Sequence, residues 1–195
     1  GSPMPKFTFG WTNTFRYKNF DLSVFINGSY GNKVYNYLSM KLTHMNSPWT
    51  NQLNAVNGRA QLVPINPNKV YEDGTMWYND VSNVMVANPG ASIPRATIND
   101  PNDNDRISDR YIEDGSYIRL KNISLGYTFP KKTIDKLGLS NLRIYANIQN
   151  LLTITGYDGY DPEIGASTSS VNVYGLDNGR YPSPTVYSFG LNVSF

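Results

Sequence analysis

The sequence predicts an all-β fold in which five strands form part of a transmembrane antiparallel β-barrel. Five segments alternate apolar and polar residues with a period of two, the pattern of strands whose two faces meet different surroundings. Their polar positions carry mainly Ser, Thr, Asn, Gln and Gly, whereas a soluble sheet would present more Lys, Glu and Arg to water. Short connections alternate with long loops, as they do in outer-membrane barrels.

Composition excludes several other classes of protein. Only 16% of the 195 residues are charged, against about 25% in typical soluble domains, and 15 are Tyr. The net charge of +2 is spread along the chain, which gives no basic face for nucleic acid. Cysteine is absent, so disulfides, thiolate metal sites and thiol catalysis are excluded within this chain. No apolar window of about 18 residues predicts a membrane-spanning helix, but barrel strands escape such scans.

The first two strands are predicted at residues 6–17 and 20–30. Nearly every odd position from Phe7 to Tyr17 is aromatic, and the even positions are polar or glycine. A tight turn at residues 18–19 leads into the second strand, where Phe25 is the one apolar residue on the polar face. The pair therefore reads as a hairpin with one aromatic or aliphatic face.

The third strand is predicted at residues 117–129, with a change of phase inside it. Ile118 and Leu120 stand on one phase and Ile123 and Leu125 on the other. A slip of one residue is what a β-bulge produces, so a bulge is placed near Lys121. The alternative is that the first half of the strand projects beyond the bilayer. A short connection follows at residues 130–140, with one helical turn expected within it.

The fourth and fifth strands are predicted at residues 141–155 and 185–195. We expect the polar positions of the fourth strand to face the barrel lumen: Arg143, Tyr145, Asn147 and Gln149. The fifth strand is expected to be the closing strand and to carry the signal for barrel assembly, on the apolar positions Tyr187, Phe189, Leu191, Val193 and Phe195. A closing strand must leave no unpaired backbone edge in hydrocarbon, and a terminal aromatic ring suits the membrane interface.

Two long loops separate these strands, at about residues 31–116 and 156–184. If the C-terminus is periplasmic, the short turns are periplasmic as well and both long loops are extracellular. Short helices are expected at residues 33–44 and 50–61, with partial disorder as the alternative. Aromatic loop residues are candidates for stacking on substrate or touching a partner, with packing inside the loop as the other interpretation: Trp49, Trp77, Tyr78, Tyr157 and Tyr160.

The chain carries no convincing catalytic motif. His44 lies near Ser47 without an acidic residue in local sequence, so it is interpreted as a surface loop histidine. Asp158, Asp161 and Glu163 resemble a glycosidase pair only in composition, and turn-forming carboxylates in a polar loop explain them better. No enzyme activity and no cofactor are therefore predicted.

One acidic segment resembles a calcium loop without matching it. Asp100, Asp103 and Asp105 supply oxygen ligands, but an EF-hand loop needs Gly at its sixth position and Glu at its twelfth. Those positions are Asp105 and Tyr111. A looser calcium site is the alternative to no metal at all.

Five segments together resemble the SusC/RagA class of TonB-dependent outer-membrane transporters of Bacteroidetes. The segment at residues 108–127 is the most specific of them. They are Gly1-Ser-Pro-Met-Pro-Lys-Phe-Thr-Phe-Gly10, Tyr17-Lys-Asn-Phe-Asp-Leu-Ser-Val-Phe25, Ser108-Asp-Arg-Tyr-Ile-Glu-Asp-Gly-Ser-Tyr-Ile-Arg-Leu-Lys-Asn-Ile-Ser-Leu-Gly-Tyr127, Ile148-Gln-Asn-Leu-Leu-Thr-Ile-Thr-Gly-Tyr157 continuing to Asp161-Pro-Glu163, and Tyr181-Pro-Ser-Pro-Thr-Val-Tyr-Ser-Phe-Gly-Leu-Asn-Val-Ser-Phe195. The resemblance implies that residues 1–195 form the last five strands of a 22-stranded barrel whose N-terminal plug lies outside this sequence.

The resemblance also implies a function and partners. We expect part of an active importer in the bacterial outer membrane, with its C-terminus on the periplasmic side. It would take up oligosaccharides, work with a SusD-like surface lipoprotein, contact outer-membrane lipid, and couple to the TonB complex through the missing N-terminal part. The alternatives are uptake of peptides, a soluble β-sandwich carbohydrate-binding module, and an outer-membrane hydrolase barrel.

Overall fold

The computed structural model describes residues 1–163 and 174–195 and consists mainly of β-strand. Part of the expected second loop, residues 164–173, lies outside the described residues. In chain order the elements are β1 (Phe7–Tyr17), β2 (Phe20–Tyr30), β3 (Lys33–Asn36), α1 (Tyr37–Thr43), β4 (Leu62–Pro64), β5 (Val84–Val86), β6 (Ile112–Asp114), β7 (Tyr117–Thr128), α2 (Lys131–Ile134), β8 (Asn141–Thr155), β9 (Leu176–Asp177) and β10 (Val186–Ser194).

Five long strands form one antiparallel sheet in the order β1-β2-β7-β8-β10. Sequence neighbours among them are also neighbours in space, so the sheet is a meander. The bounds of these strands lie within one residue of the ranges expected from alternation. The predicted fold class, an antiparallel segment of a β-barrel wall, is confirmed. Among the described residues, β1 and β10 each have one long partner strand and so form the two edges.

The register places the apolar faces of all five strands on one side of the sheet. One row across it runs from Phe15 through Leu22, Leu125 and Ala146 to Phe189. Phe189 is 83% exposed and Phe15 is 56% exposed, although both are large apolar side chains. A continuous uncovered apolar face of this kind is unusual for a soluble protein and ordinary for a surface that meets lipid.

The opposite side of the sheet is polar along the same rows. The neighbouring row runs from Thr14 through Ser23, Ser124 and Asn147 to Ser188. Small hydroxyl and amide side chains line it, and no apolar layer covers it within the described part of the chain. The sheet therefore separates two surfaces of different chemistry.

The bulge predicted near Lys121 is confirmed. The register between β7 and β8 shifts between Leu120 and Asn122, and Asn150 of β8 sits in the same irregularity with a φ of 53°. Asparagine tolerates this left-handed conformation better than most residues do. The shift returns Leu120 to the apolar face, where it pairs with Leu152.

Aromatic rings lie over glycines at two places in the hairpin of β1 and β2. Phe25, the apolar exception on the polar face, lies against Gly10, where an added Cβ would come 3.2 Å from its ring. On the apolar face Phe9 covers its cross-strand partner Gly28. Such pairs restore packing that a glycine would otherwise leave open and help to fix register.

The first long loop contains more structure than alternation predicts. Residues 33–36 are strand β3 and not helix, so the expected helix over 33–44 is reduced to α1. Strands β6, β3 and β9 form a second, three-stranded sheet. Residues 37–111 form a compact unit of their own, with the β4–β5 pair and short 3-10 turns, including one at Asn54–Gly58. No helix in the described ranges is long and apolar enough to span a membrane.

Candidate functional site

The four lumen candidates of β8 share the polar face of the sheet. Arg143, Tyr145, Asn147 and Gln149 alternate with apolar residues of the opposite face, and each has a cross-strand partner in β7. The ring of Tyr145 lies over Gly190 of β10 and also stacks beneath the Arg143 guanidinium, 5.2 Å from ring centroid to Cζ. The register thus brings these candidates together on one surface.

An ion pair on this polar face crosses a whole strand. Arg143 of β8 donates from one terminal nitrogen to Asp21 Oδ2 of β2 at 2.6 Å, and from Nε to Oδ1 at 3.2 Å. Strand β7 lies between them, and Gly126 stands at the crossing point, where a Cβ would meet both side chains. Glycine at this position therefore makes the bridge sterically possible.

A second charged cluster ties the loop after β8 to β7. Arg119 is only 3% exposed, and its Nε donates to Thr153 Oγ1 at 2.8 Å. Its two terminal nitrogens donate to Asp161 and to Glu163 Oε2, the latter at 2.7 Å. Lys121 also reaches Glu163 Oε2, at 2.7 Å. We call these residues the Arg119 clamp, since two strand cations hold two loop carboxylates.

Asp161 of the clamp is held by hydrogen bonds that favour its charged form. Burial alone would raise the pKa of Asp161, but the Ser183 amide, the Arg119 guanidinium and the Glu163 amide outweigh burial, and its pKa lies below the ordinary 3.8. Both carboxylates are committed to ion pairs, which accounts for their presence without catalysis. The sequence predicted turn-forming carboxylates but not their partners.

The loop aromatics differ in accessibility. Tyr157 was a candidate contact residue, but it is 6% exposed and its hydroxyl donates to Asp177 Oδ2 at 2.5 Å. Asp177 Oδ1 in turn accepts from the Gly179 amide at 2.8 Å. Tyr157 is therefore a packing residue of the loop, whereas Tyr160 is 62% exposed. Tyr157 packs inside the loop because its hydroxyl is the hydrogen-bond donor to the buried Asp177 carboxylate.

His44 is not the surface histidine that the sequence suggested. It is buried, and its Nε2 lies 2.8 Å from Asp100 Oδ2, a residue 56 positions further along the chain. Asp100 also accepts from the Asn104 backbone and side-chain amides, both at 2.6 Å. Burial of Asp100 raises its pKa, but the bonds from His44 and Asn104 prevail and lower it. Local sequence could not reveal an acidic partner so far away.

The residues that could hold a metal ion differ from the three named in the calcium prediction. Ligand atoms of His44, Asp100 and Asp105 lie within 4.8 Å of one another, and Asp103 is not among them. Calcium prefers oxygen ligands, whereas imidazole is a ligand for transition metals. Since Asp100 already accepts hydrogen bonds at both oxygens, the cluster is explained as internal bracing of the unit at residues 37–111.

A cleft of about 660 Å³ opens within the unit at residues 37–111. It brings together Trp77 and Tyr78, two of the predicted contact residues, whose rings meet edge to face at 5.6 Å. Trp49 is 93% exposed but does not line this cleft. The other polar residues that line the cleft are Arg59, Gln61, Arg95, Thr97 and Asn99. Neither arginine was predicted from the sequence, because each lies in an irregular segment without a motif.

Similarity to known proteins runs along the whole chain. TonB-dependent receptor P3 of Formosa agariphila is 36% identical over 200 residues, covering 100% of this chain. TonB-dependent receptor P26 of the same organism is 33% identical over 203 residues, and TonB-dependent receptor SusC of Bacteroides thetaiotaomicron is 29% identical over 189. The chain belongs to the TonB-dependent receptor family. No protein-family model matches it.

The receptor fold is also found among solved structures. A chain of the RagAB peptide importer in its closed-closed state matches with a TM-score of 0.66 at 20% identity, over 100% of this chain. A second structure, of the RagAB peptide transporter, matches with a TM-score of 0.65. This chain spans 15–17% of the length of the receptor sequences named above and 18% of the RagAB chains. It therefore represents about a sixth of such a receptor.

Proposed function

We propose that this chain forms part of the barrel wall and outer loops of a TonB-dependent importer in the bacterial outer membrane. The observation that carries the proposal is the register that aligns five apolar strand faces on one side and five polar faces on the other. A soluble sandwich would cover the apolar face with a second layer, whereas Phe15, Leu125 and Phe189 of one row are exposed. The protein transports its substrate and does not transform it.

The polar face faces the lumen in this proposal. Arg143 on the lipid side at mid-membrane would cost about 2–4 kcal/mol, whereas on the polar side it is neutralised by Asp21. The turn at residues 18–19 and the connection at 130–140 then lie on the periplasmic side. The long loops are extracellular, and the C-terminal end of β10 is periplasmic.

The partners follow from the same placement. A SusD-like surface lipoprotein would act on the extracellular side, and the TonB complex would act through parts of the receptor outside this chain. Large apolar side chains that are exposed in the unit at residues 37–111 support a protein contact there: Trp49, Val70, Val81 and Ile107. The candidate assembly signal consists of the apolar positions Tyr187, Phe189, Leu191, Val193 and Phe195.

Oligosaccharides are the proposed substrates. The Trp77–Tyr78 pair offers aromatic faces and edges to a sugar ring, and Gln61 and Asn99 offer amides to its hydroxyls. Peptides are the second candidate, because the matched solved structures are those of a peptide importer.

Uptake by cells tests this proposal. A strain that lacks the complete receptor would be complemented with the wild type, with Trp77→Ala/Tyr78→Ala, or with Tyr181→Ala as the matched exposed-aromatic control. Surface abundance is measured in each strain. We expect the double variant to slow growth on oligosaccharides as sole carbon source while Tyr181→Ala has a smaller effect. Equal growth of all strains, including the strain without receptor, on every glycan and peptide offered would reject an importer of either class.

A further inference from the structure

The cleft at residues 59–62, 77–78 and 95–99 carries an unbalanced positive charge. Arg59 and Arg95 both line it, and none of its lining residues is acidic. Among the described residues neither guanidinium forms an ion pair with a carboxylate, whereas Lys69 in the same unit pairs with Asp80 at 2.5 Å. Arg59 spends one donor on the Val56 carbonyl at 3.3 Å. Two half-buried guanidinium groups thus keep most of their donors free.

We propose that this cleft binds a sugar unit that carries an oxyanion, either a carboxylate or a sulfate group. The inference rests on the proposed import of oligosaccharides and narrows it to acidic ones. A guanidinium offers planar, paired N–H donors that match the geometry of such oxyanions. Their charge is also favoured by the local excess of two cations.

The remaining lining residues suit the sugar ring itself. Trp77 and Tyr78 meet edge to face, which leaves an apolar surface beside the arginines for the ring carbons. Gln61 and Asn99 can both donate and accept, as hydroxyl groups require. A volume of about 660 Å³ lies inside the range of small-molecule sites, ~300–1,000 Å³.

The walls of the cleft are held by hydrogen bonds that need no ligand. The Asn88 side chain accepts from the backbone amide of Gln61 at 2.8 Å and donates to the backbone carbonyl of Arg59 at 2.9 Å. The Ala60 amide donates to the Ile93 carbonyl at 2.8 Å, which links the segment of Arg59 to the chain just before Arg95. A pre-formed site loses less conformational entropy on binding.

Binding to the purified complete receptor tests the proposal. The probes are tetragalacturonate for the carboxylate, neocarratetraose sulfate for the sulfate, maltotetraose as a neutral sugar and tetraglutamate as an acidic peptide. The variants are Arg59→Gln/Arg95→Gln and, as a matched control, Arg106→Gln, an exposed arginine of the same unit outside the cleft. Arg95→Lys keeps the charge while losing the paired donors. Thermal unfolding verifies the fold of each variant.

We expect one of the two acidic sugars to bind at least about tenfold more tightly than maltotetraose. The double variant should lose that preference, Arg106→Gln should keep it, and Arg95→Lys should fall between them. Added salt should weaken the acidic sugar selectively. Equal affinity for acidic and neutral sugars, or equal losses in the double variant and Arg106→Gln, overturns the proposal.

Tighter binding of tetraglutamate than of both acidic sugars also overturns it and assigns the cleft to peptides. These outcomes are separate from the importer proposal, which is judged by uptake. If cells import neutral glycans and the cleft binds acidic and neutral sugars equally, the acidic-ligand proposal is refuted and the importer proposal stands. If cells show no uptake but the cleft still prefers acidic sugars, the importer proposal is refuted and the acidic-ligand proposal stands.

Discussion

Arg143 and Asp21 are joined by two hydrogen bonds, 2.6 and 3.2 Å long, although a complete strand separates the strands that carry them. The pair therefore ties β2 to β8 directly. Both side chains are more than a quarter exposed on the polar face, so solvent screens part of the attraction.

We predict a coupling energy of about 1 kcal/mol between these two residues. The measurement is a double-mutant cycle with Arg143→Gln and Asp21→Asn in the complete receptor, using unfolding in denaturant. Gly126→Ala should abolish the coupling, because its methyl group would occupy the crossing point. If the effects of Arg143→Gln and Asp21→Asn on the free energy of unfolding are strictly additive when residue 126 is the native glycine, the bridge contributes nothing.

The Arg119 clamp should govern the stability of the loop that follows β8. Asp161→Asn replaces one of the two carboxylates that pair with the buried Arg119 guanidinium by a neutral amide and should destabilise the loop by roughly 1–3 kcal/mol. Hydrogen exchange of the Glu163 and Ser183 amides, which both donate to Asp161, reports this directly. Asp158→Asn is the control, since that side chain is exposed. Equal exchange in both variants would contradict the clamp.

The clamp also predicts an acid transition. The pKa of Asp161 is lowered in the folded protein, so its stabilisation is complete above the ordinary 3.8 and is lost as the pH falls through the lower folded value. Exchange protection of the Ser183 amide should therefore be constant at pH 5–7 and decline only below about pH 4. A decline centred above pH 5 would point to another group.

Tyr157 should matter for folding and Tyr160 should not. Tyr157→Phe removes the one hydrogen bond to Asp177 Oδ2 found among the described residues and leaves a buried oxygen unpaired, a loss of about 1–3 kcal/mol. Tyr160→Phe changes an exposed side chain and should stay within about 0.5 kcal/mol of the wild type. Unfolding in denaturant compares the two, and similar losses would refute the packing role.

Alternation was sufficient to predict the sheet because its signal is local. Every second residue of a strand lies on the same face, so each face can be predicted from the sequence. The change of phase between Leu120 and Ile123 likewise indicated the bulge at Lys121. Alternation alone does not explain Phe25 on the polar face, whereas its contact with Gly10 does.

The contacts within the loops could not be predicted because they join residues that are distant in sequence. His44 meets Asp100 56 residues away, and Arg119 meets Asp161 42 residues away. No periodicity connects such positions. The two arginines of the cleft became visible only when the fold brought residues 59 and 95 together.

We propose that β8 crosses the membrane with its apolar face to lipid and its polar face to the lumen, and the proposed importer depends on this orientation. Ile144 and Asn147 lie on opposite faces of that strand, and the chain contains no cysteine of its own. The direct measurement places cysteine at one site or the other in the complete receptor in intact outer membranes. Each variant is then treated with a membrane-impermeant thiol reagent and with a lipid-soluble spin probe.

We predict that Asn147→Cys reacts with the impermeant reagent and is shielded from the lipid probe, whereas Ile144→Cys shows the reverse. The difference follows from the alternation of side chains in a strand, and it requires no assumption about the substrate. Equal labelling of both cysteines by both reagents would show that β8 is not a membrane-spanning strand and would contradict the account.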